Sequence, residues 1–155
     1  MESWTEELAN AVLYDASQLK TLLGVTMAEG FPNEPVRNFV LPNTLLRMQH
    51  DPAVGVWSGM IIHTVDNMVI GSMGCKATPD DQGMVEIGYD IVPTYQGQGY
   101  ATEMARAFVK WALDQALVRR VTAECLPDNG ASIRVLEKLG MQRVAEHEDM
   151  LYWCS

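Results

Sequence analysis

Positive charge is scarce in this 155-residue chain: 11 Lys and Arg stand against 20 Asp and Glu, for a net charge of −9. Such a surface repels nucleic acid and anionic membrane and favours cationic partners, although acidity also serves plain solubility. No apolar run approaches the ~20 residues of a membrane span. Glu2, Glu6 and Glu7 stand where a secretory signal would carry basic residues. Cysteine is sparse too. Cys75, Cys125 and Cys154 are widely spaced and odd in number, which gives neither a metal-ligand spacing nor a disulfide framework and points to a reducing cytoplasm. Three histidines without ligand spacing give no reason to expect a metal. Internal repeats and low-complexity segments are absent. The length and a hydrophobic content of 48% suit one globular domain.

The informative stretch runs from Val85 to Thr102. Val85, Ile87, Tyr89 and Ile91 alternate with Glu86, Gly88, Asp90 and Val92, the period of an extended chain. Pro93 ends the ladder, Gly97 and Gly99 leave no side chain between backbone and visitor, and from Gly99 onward the pattern is helical. Unpaired amides at a helix N-terminus make an anion site, so a phosphate-bearing cofactor is expected here.

Around it the chain falls into short elements. Thr5–Tyr14 reads as a helix capped by Thr5, and Asp15 opens a second that stops at Gly24. Residues 28–35 form a loop, and 36–50 a helix interrupted or restarted at Pro42. Residues 56–65 and 68–75 form a hairpin about Asp66-Asn67, with Gly71 and Gly74 marking a bulge or a close neighbour. After the central strand, a helix runs to about Leu117. A strand spans Arg119–Leu126, a helix capped by Asn129 stops at Gly140, and two strands follow at 141–146 and 150–154. This order predicts a mixed α/β (α+β) domain with a mainly antiparallel sheet, and a parallel strand–helix–strand unit over 84–126 whose ligand site lies at the glycine turn. Trp57 and Trp111 are expected in the core, His63 as a hydrogen-bonded wall residue, and the ten methionines as adaptable packing.

Two phosphate motifs fit poorly. A P-loop needs Lys and Ser/Thr after its last glycine, and this turn continues Tyr100-Ala101. Gly97-x-Gly99-x-x-Thr102 approaches a dinucleotide fingerprint, but that motif normally opens its domain. By contrast, Gln96-x-x-Gly99-x-Ala101 within Val92–Ala101 resembles the acetyl-CoA signature Q/R-x-x-G-x-G/A of the GCN5-related N-acetyltransferases (GNAT). Asn129-Gly130-Ala131-Ser132, followed by Glu137-Lys138-Leu139-Gly140-Met141, resembles that family's second motif. The resemblance is clear from about Val54 to Arg143. Its style is closest to the ribosomal-protein N-acetyltransferase branch.

The resemblance implies acetyl transfer from acetyl-CoA to a primary amine of a small molecule or protein N-terminus; the charge, the histidine spacing and the lack of long apolar runs add the expectation of no metal and no nucleic-acid or membrane partner. It implies one acetyltransferase domain over 1–155, with residues 1–53 as a helical acceptor-side region and 54–155 as the sheet and cofactor core. The sheet would be splayed and flanked by helices. Pantetheine would pair with backbone at Tyr89, Asp90 and Ile91. The pyrophosphate would sit on Gln96, Gly97, Gln98, Gly99, Tyr100, Ala101 and Thr102, and Asn129 and Ser132 would also touch the cofactor. Glu86 is the candidate base, acting through water, with Asp90 and Glu124 as alternatives; ordinary strand salt bridging is the plainer role for such a glutamate. Ser132 is the candidate acid.

Two departures from the family pattern stand out. Leu136 occupies the position of the usual tyrosine acid, so Ser132, water, Tyr89 or Tyr152 serves instead, or the thiolate leaves unassisted. Only Met1–Trp4 precede helical sequence, so the family's first strand is absent or reduced. The sheet edge so exposed would be covered by a partner subunit, as in a homodimer, or by a rearranged terminus. The rival reading is a catalytically weak acyl-CoA-binding or regulatory domain.

Overall fold

The computed structural model describes all 155 residues. They form a mixed α/β (α+β) fold with an open, mainly antiparallel sheet flanked by helices, as expected. Contacts divide the chain into two compact units. One comprises Met1–Met73 with Asp90–Gln98, the other Gly74–Tyr89 with Gly99–Ser155. The divisions fall at 73/74, 89/90 and 98/99.

In the first unit, β1 (Glu2–Ser3) pairs antiparallel with β3 (Ser58–His63) in the register Glu2↔Met60. A strand of two residues is therefore present at this edge. Gly59 permits it: a Cβ there would overlap the carbonyl oxygen of Glu2. Next comes α1 (Glu6–Tyr14), whose N-cap Thr5 accepts a 3.1 Å bond from the Leu8 amide. Its Leu8, Ala9, Ala11 and Val12 are buried. The Asp15 carboxylate holds the amide of Ser17 (3.2 Å) and Nε2 of Gln18 (3.0 Å) at the start of α2 (Ser17–Leu23), which ends on Gly24 at φ 72°.

β2 (Thr26–Met27) pairs parallel with β4 (Met68–Cys75), an element too short for any sequence period to show. The helix sought over 36–50 is split as expected near Pro42. A π-helical turn over Val36–Val40 leads into α3 (Leu41–Met48), because Pro42 has no amide to continue the ladder. A 3-10 turn (Pro52–Trp57) takes in Val56 and Trp57, read as the start of a strand, and β3 begins only at Ser58. Buried Trp4, Leu19, Leu41, Met60, Ile70 and Met73 anchor this core.

The second unit contains the end of β4, most of β5 (Met84–Ile91), α4 (Tyr100–Leu113), β6 (Arg120–Cys125), α5 (Gly130–Lys138), β7 (Gln142–His147) and β8 (Met150–Cys154), with strand order β4-β5-β6-β8-β7. β5 and β6 are parallel, as the strand–helix–strand reading requires, and β6, β8 and β7 are antiparallel neighbours. Val85, Ile87, Ala105, Phe108, Val121, Leu136 and Trp153 are buried. Here the tryptophan expectation needs correcting. Trp153 is buried, as is Trp4 in the first unit, whereas Trp57 and Trp111 are only half-buried. No helix is long and apolar enough to cross a membrane.

Candidate functional site

The site begins where a ladder stops. β5 and β6 pair from Met84↔Arg120 to Ile87↔Ala123. Both strands continue, β5 to Ile91 and β6 to Cys125, without further pairs between them. At the first residue past the last pair, Gly88, a Cβ would meet no atom within 4 Å. Past Ile87, β5 therefore has no ladder partner on the side that faces β6.

Glu86 projects from β5 to Lys76, just past β4, whose ammonium also pairs with Glu124 of β6 at 2.5 Å. One cation therefore bridges two of the candidate bases, with Glu86 about 35% and Glu124 about 28% exposed. Burial pulls the Lys76 pKa down, but the hydrogen bonds and charges of Glu124 and Glu86 outweigh it, and the net shift is upward. Oε1 of Glu86 is itself buried, and the nearby Lys76 ammonium is what neutralises it there.

Tyr89 reaches a different neighbour: its hydroxyl donates to the carbonyl of Ser132 in the first turn of α5 at 3.4 Å. Burial pushes this phenol up, the Ser132 bond opposes that, and the Cys125 thiol adds to it. Asn129 caps α5, its Oδ1 accepting the Ser132 amide at 3.0 Å. The capping role is thus real, and the side-chain nitrogen is the part left for a ligand. Leu136 is 1% exposed, a core residue. Tyr89, Asn129 and Ser132 are thereby brought together, while Glu86 keeps company with Lys76 and Glu124.

Within the first unit Asp90 is committed to structure. Its carboxylate accepts the Ser72 amide (3.1 Å) and the Ser72 hydroxyl, in the place a main-chain carbonyl would normally take in a ladder. Burial raises its pKa, and the Ser72 bonds offset only part of that rise. Gly71 lies so close that a Cβ would overlap the Asp90 carbonyl. Gln96 donates to the carbonyl of Ile91 at 2.7 Å and Gln98 to that of Thr94 at 3.2 Å, so both side chains brace the turn. In the same unit His63 is held by Asp66 at 3.0 Å, a wall residue as expected.

Gly97 (φ 74°) and Gly99 (φ 93°) take left-handed conformations that only glycine adopts cheaply. Neither would bring a Cβ within 4 Å of another atom, so the need is conformational and the space beside them is open. In the second unit, Gly99 opens α4 without any side-chain cap. No group of three or more His, Cys, Asp or Glu could hold a metal ion.

Lys76 and Ser72 were missed in the sequence, although a signal existed. With the turn centred near Asp81, Lys76 falls opposite Glu86 and Ser72 opposite Asp90, a register shown by the 2.8 Å bond from the Lys76 amide to the Glu86 carbonyl.

This is the architecture of an acetyl-transfer fold, and the comparisons agree. Residues 27–142 match the model of the "Acetyltransferase (GNAT) domain" family. The chain belongs to the GNAT family. It is 35% identical over 101 residues to an uncharacterized N-acetyltransferase, YjdG, of Bacillus subtilis, covering 63% of this chain and 60% of that protein. The matched stretch is therefore less than two thirds of the relative's length. Among solved structures, the ribosomal-protein-S5-alanine acetyltransferase of Vibrio fischeri superposes with a TM-score of 0.70 at 16% identity, over 99% of this chain and 90% of its own. The ribosomal L7/L12 α-N-protein acetyltransferase RimL, in complex with coenzyme A, gives 0.67 at 17% identity over 99% and 91%. These two likenesses are of fold.

Proposed function

We propose that the chain is an acetyl-CoA-dependent N-acetyltransferase that moves an acetyl group to a primary amine of a small molecule or protein N-terminus by direct attack. The observation that carries this reading is the lapse of β5–β6 pairing after Ile87↔Ala123, with Glu86 just before it and Tyr89 just beyond it. Acetyl-CoA fits the residues present. Its extended pantetheine suits backbone freed past Ile87, and its pyrophosphate suits the uncapped start of α4 at the open Gly99.

The chemistry then divides between two groups of residues. A neutral amine attacks the thioester carbonyl as Glu86 accepts its proton through water, a contribution on the order of 10²–10⁴-fold for a placed base. Backbone amides meet the developing oxyanion. The C–S bond breaks, and the thiolate takes a proton from Ser132 or Tyr89. No step calls for a metal. The acidic surface and three free thiols suit a cytoplasmic enzyme with a cationic acceptor, acting on neither nucleic acid nor membrane.

A second reading, a catalytically weak acyl-CoA-binding or regulatory domain, is favoured by buried Leu136 and by the engagement of Glu86 with Lys76. Release of free thiol from acetyl-CoA over a panel of amines separates the two. Turnover above background hydrolysis with at least one amine is expected; binding of acetyl-CoA with no such amine would leave only the second reading.

A further inference from the structure

The amine held against the candidate base belongs to the chain itself. Lys76 follows the last residue of β4, and its amide donates to the Glu86 carbonyl at 2.8 Å, which sets the two residues side by side. On the other side of β5, Glu86 stands opposite Thr122, and the ladder to β6 ends one pair later at Ile87↔Ala123. Glu124 is the first residue of β6 past that end. It shares a face with Thr122, because strand side chains alternate. The Lys76 ammonium pairs with Glu86 and, at 2.5 Å, with Glu124. It therefore reaches across β5 to the point where the two strands stop pairing, on a side chain that is 50% exposed.

That point is where an acceptor amine has to stand. On the reading above, the thioester follows the backbone freed past Ile87, and Glu86 takes the proton of the attacking nitrogen. Lys76 already holds its nitrogen against that carboxylate. The chain's other lysines stand elsewhere: Lys20 on α2, Lys110 on α4 and Lys138 on α5. All four are exposed, so reaction with acetyl-CoA free in solution would not single out Lys76.

Resting on the acetyl-CoA reading above, we infer that Lys76 is a modification site for the chain's own chemistry: when no external amine is present, its Nζ takes the acetyl group from the bound cofactor. The neutral Nζ attacks the thioester carbonyl, and an N–C bond forms as the C–S bond breaks. Glu86 receives the nitrogen's proton, and the thiolate is protonated to free coenzyme A. Lys76 becomes an uncharged amide and no longer pairs with Glu86 or Glu124. Both carboxylates favour the ammonium, so the reactive neutral amine becomes more abundant as pH rises.

Incubation of the full chain with acetyl-CoA and no added amine, followed by peptide mapping by mass spectrometry, tests this. One acetyl group is expected on Lys76, gained at least about tenfold faster than at Lys20, Lys110 or Lys138, as a nitrogen held beside the reacting carbon would give. The rate per chain should not change on dilution of the protein, and Glu86→Gln should slow Lys76 to the rate of the other lysines. Acetylation of all four lysines alike, a rate that falls with dilution, or a folded Glu86→Gln chain modified as fast as wild type each overturns the proposal. If that variant loses its fold, the wild-type selectivity decides alone. An unmodified Lys76 in a chain that acetylates an external amine overturns the modification and leaves the enzyme reading standing. Failure to bind acetyl-CoA at all, read by titration calorimetry, overturns the cofactor reading and the modification with it.

Discussion

The ammonium of Lys76 is ion-paired with the carboxylate of Glu86, and the same ammonium holds Glu124. This arrangement gives the proposed base two competing roles that substitution can separate. As a base, Glu86 is irreplaceable by an isosteric amide. Glu86→Gln should lower kcat by about 100-fold and leave the KM for acetyl-CoA unchanged. Lys76→Met removes only the partner, at a half-exposed site where such a pair is worth ~0–1 kcal/mol. It should keep kcat within about threefold, on the same scale of free energy. Steady-state thiol release for both variants is the measurement. Equal, small losses would mean that Glu86 serves the salt bridge alone.

A buried carboxylate with good partners behaves differently. Burial raises the pKa of Asp90 against the pull of Ser72, so its ionised form carries a folding cost. The sign follows: this contribution to stability is most favourable below the ordinary carboxylate range and is lost as pH rises through the raised value. Asp90→Asn keeps an oxygen acceptor for both Ser72 donors and removes the charge. The variant should therefore gain relative to wild type as pH rises from 3.5 to 7. Thermal unfolding at the two pH values checks it; an Asn variant destabilised equally at both would show that the charge itself is not the cost.

The hairpin about Asp81 shows how much of this was legible in the sequence and where legibility ended. Alternation in Met84–Val92 located β5, and the glycine pair located the start of α4, because both features repeat over enough residues to leave a period. Asn129 was readable as a cap because capping is local. The partners Lys76 and Ser72 were harder, since each is defined by register across a turn rather than by its own neighbours. β1 and β2, two residues each, exist only through tertiary pairing and leave no local trace. Trp57 and Trp111 were misplaced because a large apolar side chain says nothing by itself about which face it occupies.

Cys75 offers a test of the core at the end of β4. Burial alone pushes its thiol up to about 12, so thiolate is scarce at neutral pH. Iodoacetamide at pH 8 should modify the half-buried Cys154 in the folded protein and reach Cys75 only after denaturation. Peptide mapping by mass spectrometry gives the result. Rapid native labelling of Cys75 would mean that the strand end opens far more readily than its burial implies.

Tyr89 bears on the missing acid. With Leu136 sealed in the core, the α5 position that supplies a tyrosine in many relatives cannot donate a proton here. The Tyr89 hydroxyl instead reaches α5 from β5, bonded to the carbonyl of Ser132, and its raised pKa keeps it protonated throughout the neutral range. Were the thioester to lie along β5 as proposed, a neutral phenol there would be a competent donor, though a thiolate also leaves tolerably on its own. Tyr89→Phe should therefore lower kcat by about 10-fold, at or below the lower end for acid catalysis, with little change in the KM for acetyl-CoA. Ser132→Ala provides the contrast. A loss confined to Tyr89→Phe assigns the proton to the phenol, a loss confined to Ser132→Ala assigns it to the serine, and full activity of the double variant would show that the thiolate departs without help from either.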